Sequence, residues 1–185
     1  MAYLVLVRHG ESTWNAKGIW TGITDVDLTE KGREEAREAG KAIKDIKFQI
    51  AFTSLLKRAK QTFEELGVNV PLIENAALDE RDYGDFTGKN KWEIKKQLGD
   101  VEFLKLRRSW DYPVPNGESL KDVYNRVAPY YEEHILPELK KGNNVLVCAH
   151  GNSLRALVKF LDKISDDDIA KLELPFGKPL IYQIS

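Results

Sequence analysis

The amino-acid sequence predicts an α/β fold of three layers (an α/β/α sandwich), in which helices cover both faces of a mostly parallel central sheet. Two runs, residues 3–8 and 144–149, are aliphatic on both faces, which is typical of strands buried in a parallel sheet. Segments of helical periodicity alternate with these runs and with three shorter strand-like runs. With no repeat, low-complexity tract or Pro/Ser-rich linker, residues 1–185 are expected to form a single domain.

The remaining elements follow in order along the chain. The shorter strands are predicted at residues 49–53, 70–73 and 180–184, where the last strand closes the sheet. Thr29 is suited to N-cap a helix that runs to about Asp45. Further helices are predicted at residues 55–66, 91–98, 101–109, 118–139 and 152–161, and the clearest loop at 111–117.

Composition argues against several classes of partner. The formal net charge of -1 gives no sign of a polyanion-binding surface, so nucleic acid is not expected as a partner. The first apolar run is too short for a secretion signal or a membrane span, and we expect a soluble, cytoplasmic protein without a membrane partner. Cys148 lies within a buried-type strand and is expected to pack as a small apolar residue.

Two of the three histidines occupy matching positions in the sequence. His9 ends the first buried-type strand and His150 ends the other, and each is followed by glycine and polar residues that lead towards a helix. Ligands of open α/β sheets bind at the carboxyl ends of the strands. If the two strands are neighbours, both imidazoles face one pocket. A lone strand-end histidine is more often structural, and His134, near a helix end, is interpreted in that way.

Arginines near these histidines indicate phosphoryl chemistry. A neutral imidazole can attack phosphorus, and guanidinium groups neutralise the phosphoryl charge through paired hydrogen bonds. Arg8 adjoins His9, Arg58 follows the second strand, and Arg107 and Arg108 form a pair. Any of these arginines taken alone is more often a solvated surface residue.

The leaving oxygen needs a proton donor, for which Glu80 is the candidate. Glu80 lies in a glycine-containing segment that is predicted to be a loop, where a glutamate is more often a surface residue. The sequence has no clustered cysteines, no His-x-x-x-His and no dense acidic set near His9, so no metal is expected.

The chain resembles the cofactor-dependent phosphoglycerate mutases of the histidine phosphatase superfamily, nearly from end to end. The superfamily part is Leu6–Ser12 together with Ala149–Gly151. The part shared with the mutases is larger, and it comprises residues 13–15, 21–22, 24–29, 56–59, 80–84, 90–91, 107–109 and 152–157.

The resemblance implies roles for particular residues. It makes His9 the phosphohistidine, makes Arg8, Arg58 and His150 its phosphoryl-stabilising partners, and makes Glu80 the general acid/base. It assigns substrate binding to Gly10, Glu11, Ser12, Thr13, Trp14, Asn15, Thr21, Gly22, Arg81, Asp82, Tyr83, Lys91, Arg107, Arg108, Gly151 and Asn152. Among these, Lys91, Arg107 and Arg108 form a second cationic cluster, suited to a ligand with two anionic groups.

The reaction that the resemblance implies is the interconversion of 2-phosphoglycerate and 3-phosphoglycerate in glycolysis and gluconeogenesis. The phosphohistidine donates its phosphoryl group to the monophosphate, and 2,3-bisphosphoglycerate is both intermediate and primer. The implied fold is that of the phosphoglycerate mutases, and no metal takes part. Phosphoglycerates are the expected small-molecule partners.

The sequence departs from better-known mutases in three places. The Pro113–Pro115 stretch is followed directly by Gly117–Leu120, where many mutases carry a long insertion that builds subunit contacts, so monomer and homo-oligomer both stay open. Larger members continue past the last strand into a tail that covers the site, and a missing cover would admit water and raise phosphatase activity. Asp82 stands where several members have histidine.

Two other functions stay open at this point. A phosphomonoesterase would use the same His9, Arg8, Arg58 and His150, and it would depend less on Arg107 and Arg108. A catalytically silent binding module on this fold is the other alternative, although the sequence keeps every group that the reaction needs.

Overall fold

The computed structural model describes residues 1–184, which form an α/β fold around a five-stranded sheet. The strands lie in the order β3-β2-β4-β1-β5, and all neighbouring pairs are parallel except β1 and β5. The strand bounds are β1 Ala2–Arg8, β2 Ile50–Thr53, β3 Leu72–Glu74, β4 Val145–Ala149 and β5 Leu180–Ile184. The mostly parallel sheet and all five predicted strands are therefore confirmed.

In the described part of the chain, residues 1–184, seven α-helices connect and cover these strands, and short 3-10 or π turns join some of them. The helices are α1 Thr13–Ala16, α2 Glu30–Ile43, α3 Lys57–Glu65, α4 Lys91–Arg108, α5 Leu120–Tyr130, α6 Leu136–Lys140 and α7 Gly151–Asp162. A π-helical turn, Tyr131–Ile135, joins α5 to α6, and 3-10 turns span Ala76–Leu78, Gly84–Phe86 and Asp168–Lys171. None of the helices within residues 1–184 combines the length and the apolarity that a bilayer crossing requires.

The two faces of the sheet carry separate apolar cores, which gives the three layers. Leu4 and Leu6 of β1 pack into a core with residues of α5 and α7, whereas Val5 and Val7 pack into a core with residues of α2 and α3. Each fully buried aliphatic side chain of this kind contributes roughly 1.5–3 kcal/mol to folding. Cys148 is completely buried in the second core, where burial raises the pKa of its thiol.

Most predicted helices are confirmed, with local differences. The Thr29 hydroxyl accepts a hydrogen bond from Gly32 N at 3.0 Å and so caps α2 as expected. The predicted helices 91–98 and 101–109 are the two halves of α4, which is broken at Gly99, where φ is 81°. The predicted helix 118–139 is interrupted by the π-helical turn between α5 and α6.

A third, smaller core holds α4 against the carboxyl-end loops of the sheet. Trp20 and Tyr83 pack with Ile94, Phe103 and Leu106 of α4. The rings of Trp20 and Tyr83 lie 4.4 Å apart between centroids. This core fixes both ends of α4, which carry Lys91 and the Arg107–Arg108 pair.

Candidate active site

The sheet register brings the two strand-end histidines together. β1 and β4 are parallel neighbours with Arg8 opposite Ala149, and His9 N donates to Ala149 O at 2.9 Å. The imidazole centroids of His9 and His150 are 5.0 Å apart, and both residues are buried. The two strands are adjacent, so the two rings are neighbours at one edge of the sheet, although only His9 lines the cavity described below.

The surroundings of His9 hold its imidazole in the neutral form. Burial lowers the pKa of His9 well below its ordinary value, and the charges of Arg58 and Arg8 lower it further. His9 Nδ1 lies 2.6 Å from Gly10 O, a carbonyl that can only accept. Nδ1 therefore carries the proton, and Nε2 has the free lone pair that a nucleophile requires.

His150 is held by a residue that the sequence did not single out. Its Nε2 atom lies 2.7 Å from the Ser54 hydroxyl oxygen, which also accepts from Leu56 N at 3.2 Å. Burial, followed by the charge of Arg58, lowers the pKa of His150 well below its ordinary value. Ser54 orients the His150 ring from the end of β2, so three adjacent strand ends build this part of the site.

Two arginines supply positive charge next to the histidine pair. Arg58, at the start of α3, is buried and donates to Gly22 O at 2.7 Å and Thr24 O at 2.9 Å. Arg8 donates to Leu174 O at 2.7 Å, and its guanidinium carbon lies 4.1 Å from the centre of the Phe176 ring. Each arginine thus fixes a loop beside His9 and keeps its charge in a dry environment.

Glu80 lies at the N-terminus of α7. The residue is buried, and its Oε1 atom accepts from Arg81 N at 2.8 Å and from Asn152 N at 3.1 Å. Asn152 in turn donates from Nδ2 to the Tyr83 hydroxyl at 2.8 Å. A carboxyl group anchored through one oxygen is well placed for proton transfer through the other.

A cavity of about 390 Å³ opens beside these groups. Its wall combines the histidine site with the second cationic cluster, Lys91, Arg107 and Arg108, and with Arg155 of α7. Burial and the nearby charges of Arg107 and Arg8 lower the pKa of Lys91 to about 8, and burial lowers that of Arg155 to about 10. Burial is the largest cause of both shifts and nearby guanidinium charges add to it, so a bound polyanion would offset part of this repulsion.

His9, Glu80 and His150 also have potential metal-binding atoms within 4.8 Å of one another. The charges of Arg8 and Arg58 that oppose protonation of both imidazoles oppose a divalent cation in the same place. The positive potential of Arg8 and Arg58 therefore favours a bound anion over a bound cation at this place.

Comparison with known proteins defines the family of the chain. The family model described as histidine phosphatase superfamily, branch 1, matches residues 4–180. The chain belongs to the histidine phosphatase superfamily. Within it, a Cytophaga hutchinsonii protein named 2,3-bisphosphoglycerate-dependent phosphoglycerate mutase is 50% identical over 189 aligned residues, which cover 100% of this chain and 89% of the relative. A Nitrobacter hamburgensis protein of the same name is 51% identical, with 98% and 91% covered.

Solved structures of the same fold include proteins named as phosphatases. Bacillus stearothermophilus YhfR superposes with a TM-score of 0.88 at 28% identity, covering 100% of this chain and 92% of that one. A mycobacterial glucosyl-3-phosphoglycerate phosphatase superposes with a TM-score of 0.88 at 25% identity, covering 98% and 90%. The chain thus has the histidine phosphatase fold.

The structure brings most of the predicted site residues of this histidine phosphatase superfamily member to one cavity. Those that line it are Arg8, His9, Asn15, Thr21, Gly22, Arg58, Glu80, Tyr83, Lys91, Arg107, Arg108, Gly151 and Asn152. Their common place in the fold is the carboxyl edge of the sheet together with the two ends of α4. Their individual roles stay predictions.

The other predicted residues do not line the cavity. His150 is fully buried with its ring beside that of His9, and Gly10, Thr13 and Trp14 are also outside the lining. The Glu11 side chain accepts from Thr29 and Lys31, and Ser12 caps α1 through Asn15 N. Arg81 is fully buried and donates to Glu118 O and Leu106 O, and Asp82 accepts from Gly84 N. In this structure these contacts hold the loops that carry the lining residues.

Several residues that line or support the site were not predicted from the sequence. Ser54 follows β2 directly, and Arg155 lies one helical turn after Asn152, so position in the chain was a usable signal for both. Trp20, Glu173, Leu174 and Pro175 line the cavity without such a signal. The last three lie far along the chain, next to Phe176, whose ring is 5.8 Å from that of His9.

Proposed function

We propose that this enzyme interconverts 2-phosphoglycerate and 3-phosphoglycerate through a phosphohistidine at His9, primed by 2,3-bisphosphoglycerate. The observation that carries this proposal is the roughly 50% identity, over nearly the whole chain, to relatives named for that reaction. The site supplies what the reaction requires: a neutral buried imidazole, flanking guanidinium groups and a buried carboxyl group. The reaction belongs to glycolysis and gluconeogenesis.

The cavity has the charge for a ligand with two separate anionic groups. One anionic group, the transferring phosphoryl, would contact Arg8, Arg58 and His150. Arg8 Nε is buried and has no hydrogen-bond partner within residues 1–184, and a phosphoryl oxygen would supply one. The second anionic group would contact Lys91, Arg107 and Arg108, whose mutual repulsion it would relieve.

In the first half-reaction, His9 Nε2 attacks a phosphorus atom of 2,3-bisphosphoglycerate. The N–P bond forms as the ester P–O bond breaks, and the leaving oxygen takes the proton of the Glu80 carboxyl group. Arg8, Arg58 and His150 stabilise the charge on the three equatorial phosphoryl oxygens. The products are phosphohistidine, ionised Glu80 and a monophosphoglycerate.

In the second half-reaction, the phosphohistidine donates its phosphoryl group to 3-phosphoglycerate. The free C2 hydroxyl attacks the phosphorus while Glu80 takes its proton, the P–N bond breaks, and its electron pair returns to Nε2, so His9 is neutral again. The 2,3-bisphosphoglycerate that forms turns in the cavity, and His9 then attacks its other phosphorus atom, which releases 2-phosphoglycerate. No step needs a metal ion, and we expect chelators to leave the rate unchanged.

The setting of the proposed reaction follows from its substrates. Phosphoglycerates are soluble metabolites, so we propose that a single catalytic domain, residues 1–185, works in the cytoplasm without a nucleic-acid or membrane partner. The number of subunits in the active enzyme is not part of this proposal.

A phosphomonoesterase is the second candidate, because solved structures with TM-scores of 0.88 include a protein named as a phosphatase. In that reaction water, rather than a hydroxyl group of the substrate, would attack the phosphohistidine. The two reactions share the first half-reaction and differ in their need for the second cationic cluster.

Replacing Arg107 and Arg108 with alanine separates the two candidates. For the mutase, kcat/KM for 3-phosphoglycerate should fall about 100-fold or more, since hydrogen bonds to charged groups contribute about 1.5–3 kcal/mol each. Hydrolysis of p-nitrophenyl phosphate, which has no second anion, should change little. Arg33→Ala/Arg37→Ala is the matched control, because both side chains pair with Glu65 outside the cavity. Equal small losses on both substrates would favour the phosphatase.

A further inference from the structure

Glu80 lies in a segment that no helix or strand holds in place. Residues 79–83 have no regular secondary structure, so their backbone carbonyls need other partners. Arg126 of α5 supplies them: Nη1 donates to Ala77 O at 2.7 Å and to Asp79 O at 3.0 Å, and Nη2 donates to Glu80 O at 3.0 Å. One guanidinium group therefore binds three carbonyls up to and including that of Glu80.

Glu118 completes this contact on the other flank of Glu80. It accepts from Arg126 Nε at 2.8 Å and Nη2 at 2.9 Å, which is a bidentate pair. The same carboxylate accepts from Asp82 N at 2.9 Å, and the Glu118 carbonyl accepts from Arg81 Nε. We call this pair, Arg126 and Glu118, the clamp.

The clamp is attached to a capped and well-packed helix, α5. Ser119 and Asp122 form a capping box at the start of α5, and Leu120, Val123 and Val127 of that helix are completely buried. Burial alone would raise the pKa of Glu118, but hydrogen bonds from Arg126 and Asp82 N lower it overall. The carboxylate is therefore charged at neutral pH and keeps its bidentate partner.

The clamp does not reach the substrate. Neither residue lines the cavity that contains His9; both line a separate cavity of about 270 Å³, together with Asp79 and Asp82. An effect of Arg126 on the reaction must therefore pass through the backbone of residues 77–82. Glu80 is the residue of that segment whose carboxyl group contacts the N-terminus of α7.

We propose that Arg126 and Glu118 are positioning residues that hold the Glu80 carboxyl group where it protonates the leaving oxygen. The inference rests on the proposed function, in which Glu80 is the general acid/base. Without the clamp, the loop keeps its sequence and charge but Glu80 loses the fixed position on which proton transfer depends.

The test compares two phosphate esters that differ in their need for an acid. An alkyl ester, 2,3-bisphosphoglycerate, needs its leaving oxygen protonated, whereas p-nitrophenyl phosphate releases p-nitrophenolate, which is a stable anion without protonation. In Arg126→Gln, the rate of His9 phosphorylation by the bisphosphate should fall about 10- to 100-fold, within the range that general acid catalysis contributes. Phosphorylation by p-nitrophenyl phosphate should stay within about threefold of the wild type. A purely structural role would lower both rates together and contradict the proposal.

A second comparison asks whether Arg126 acts through Glu80. In a Glu80→Gln background, the further change Arg126→Gln should have little additional effect on the bisphosphate rate, because the acid is already absent. Additive losses would contradict the proposal. Arg33→Gln is the matched control, since Arg33 and Glu65 form a similarly exposed ion pair, with side chains 30% and 21% exposed against 24% and 25% in the clamp.

The experiment distinguishes three outcomes: a variant that does not fold, a failure of the proposed function, and a failure of the clamp proposal alone. If Arg126→Gln does not fold, Arg126→Lys and Glu118→Gln provide the same comparison, with a smaller loss expected for the lysine variant. If neither ester phosphorylates His9 in the wild-type enzyme, the proposed function is wrong, and the clamp proposal, which rests on it, is wrong as well. Normal wild-type phosphorylation with equal losses on both esters in the variant contradicts the clamp alone.

Discussion

The protonation states of single residues decide what this site can do. His9 is neutral because it is buried beside Arg8 and Arg58, and Gly10 O fixes its proton on Nδ1. The sequence alone predicted that His9 and His150 meet, because both end buried strands. It could not predict the tautomer or the burial, because these depend on the Gly10 carbonyl orientation and on Phe176, which is remote in sequence.

At the residue scale we predict that the charge of Lys91 limits activity at alkaline pH. Its pKa is lowered to about 8, so the free enzyme loses this charge as the pH rises through that value. A bound anion would keep Lys91 protonated, so kcat/KM for 3-phosphoglycerate should fall above about pH 8 while kcat changes less. In Lys91→Arg this fall should move to higher pH, because a guanidinium group stays charged.

The pH profiles of kcat/KM for the wild type, Lys91→Arg and a control variant test this prediction. Lys96→Arg is the matched control, since Lys96 is an exposed lysine of the same helix. The control should keep the wild-type profile. An alkaline fall that is the same in Lys91→Arg as in the wild type would show that another group causes it.

At the scale of elements, local signals predicted more than contacts between distant segments. The buried strands β1 and β4 and the Thr29 cap could be predicted because aliphatic patterning and capping chemistry are local. The close approach of Gly10 to α2 could not be predicted, because it is a contact between separate segments. A Cβ atom added to Gly10 would lie 2.0 Å from Gly32 O, so only glycine lets the loop after His9 pack against that helix.

The segment around Glu80 also combines a local feature that could be predicted with distant contacts that could not. Its glycines and polar residues predicted a loop, which is what the structure contains. What holds this loop is the clamp, formed by Arg126 within α5 and Glu118 just before that helix, and both lie 36 or more residues further along the chain. No local pattern marks Arg126 as the partner of three carbonyls, since an arginine within a helix is ordinarily solvated.

At the scale of the whole molecule, the fold gathers chemistry from distant parts of the chain. Parallel strands end at one edge, so Arg8, Ser54 and His150 meet there, and α4 adds Lys91 and Arg107 at its two ends. Like charges and buried imidazoles at this edge oppose folding, and the apolar cores on both sheet faces offset that cost. Stability is therefore coupled to the protonation of the site.

We predict that the free energy of unfolding decreases as the pH falls below about 6.5. The pKa values of His9 and His150 are lowered in the folded state, so the unfolded chain binds protons that the folded chain does not. Stability is thus fully present above the unfolded pKa and is lost at lower pH, by about 1.4 kcal/mol per pH unit for each histidine. The pair should give a slope of about 2.7 kcal/mol per pH unit.

Urea unfolding between about pH 5 and 7 measures this slope. His9→Gln should remove about half of the dependence, and His134→Gln is the control because its side chain is 55% exposed. A slope that His9→Gln leaves unchanged would mean that His9 is not held neutral in the folded protein.

The central claim is that His9 carries the phosphoryl group between the two oxygens of phosphoglycerate. The most direct measurement is to label the enzyme with 2,3-bisphosphoglycerate carrying isotopic phosphorus, locate the acid-labile label, and chase it with 3-phosphoglycerate. We expect the label on His9, its transfer to phosphoglycerate faster than its release as inorganic phosphate, and no labelling of His9→Gln. Label on another residue, equal labelling of His9→Gln, or release only as inorganic phosphate would contradict the account.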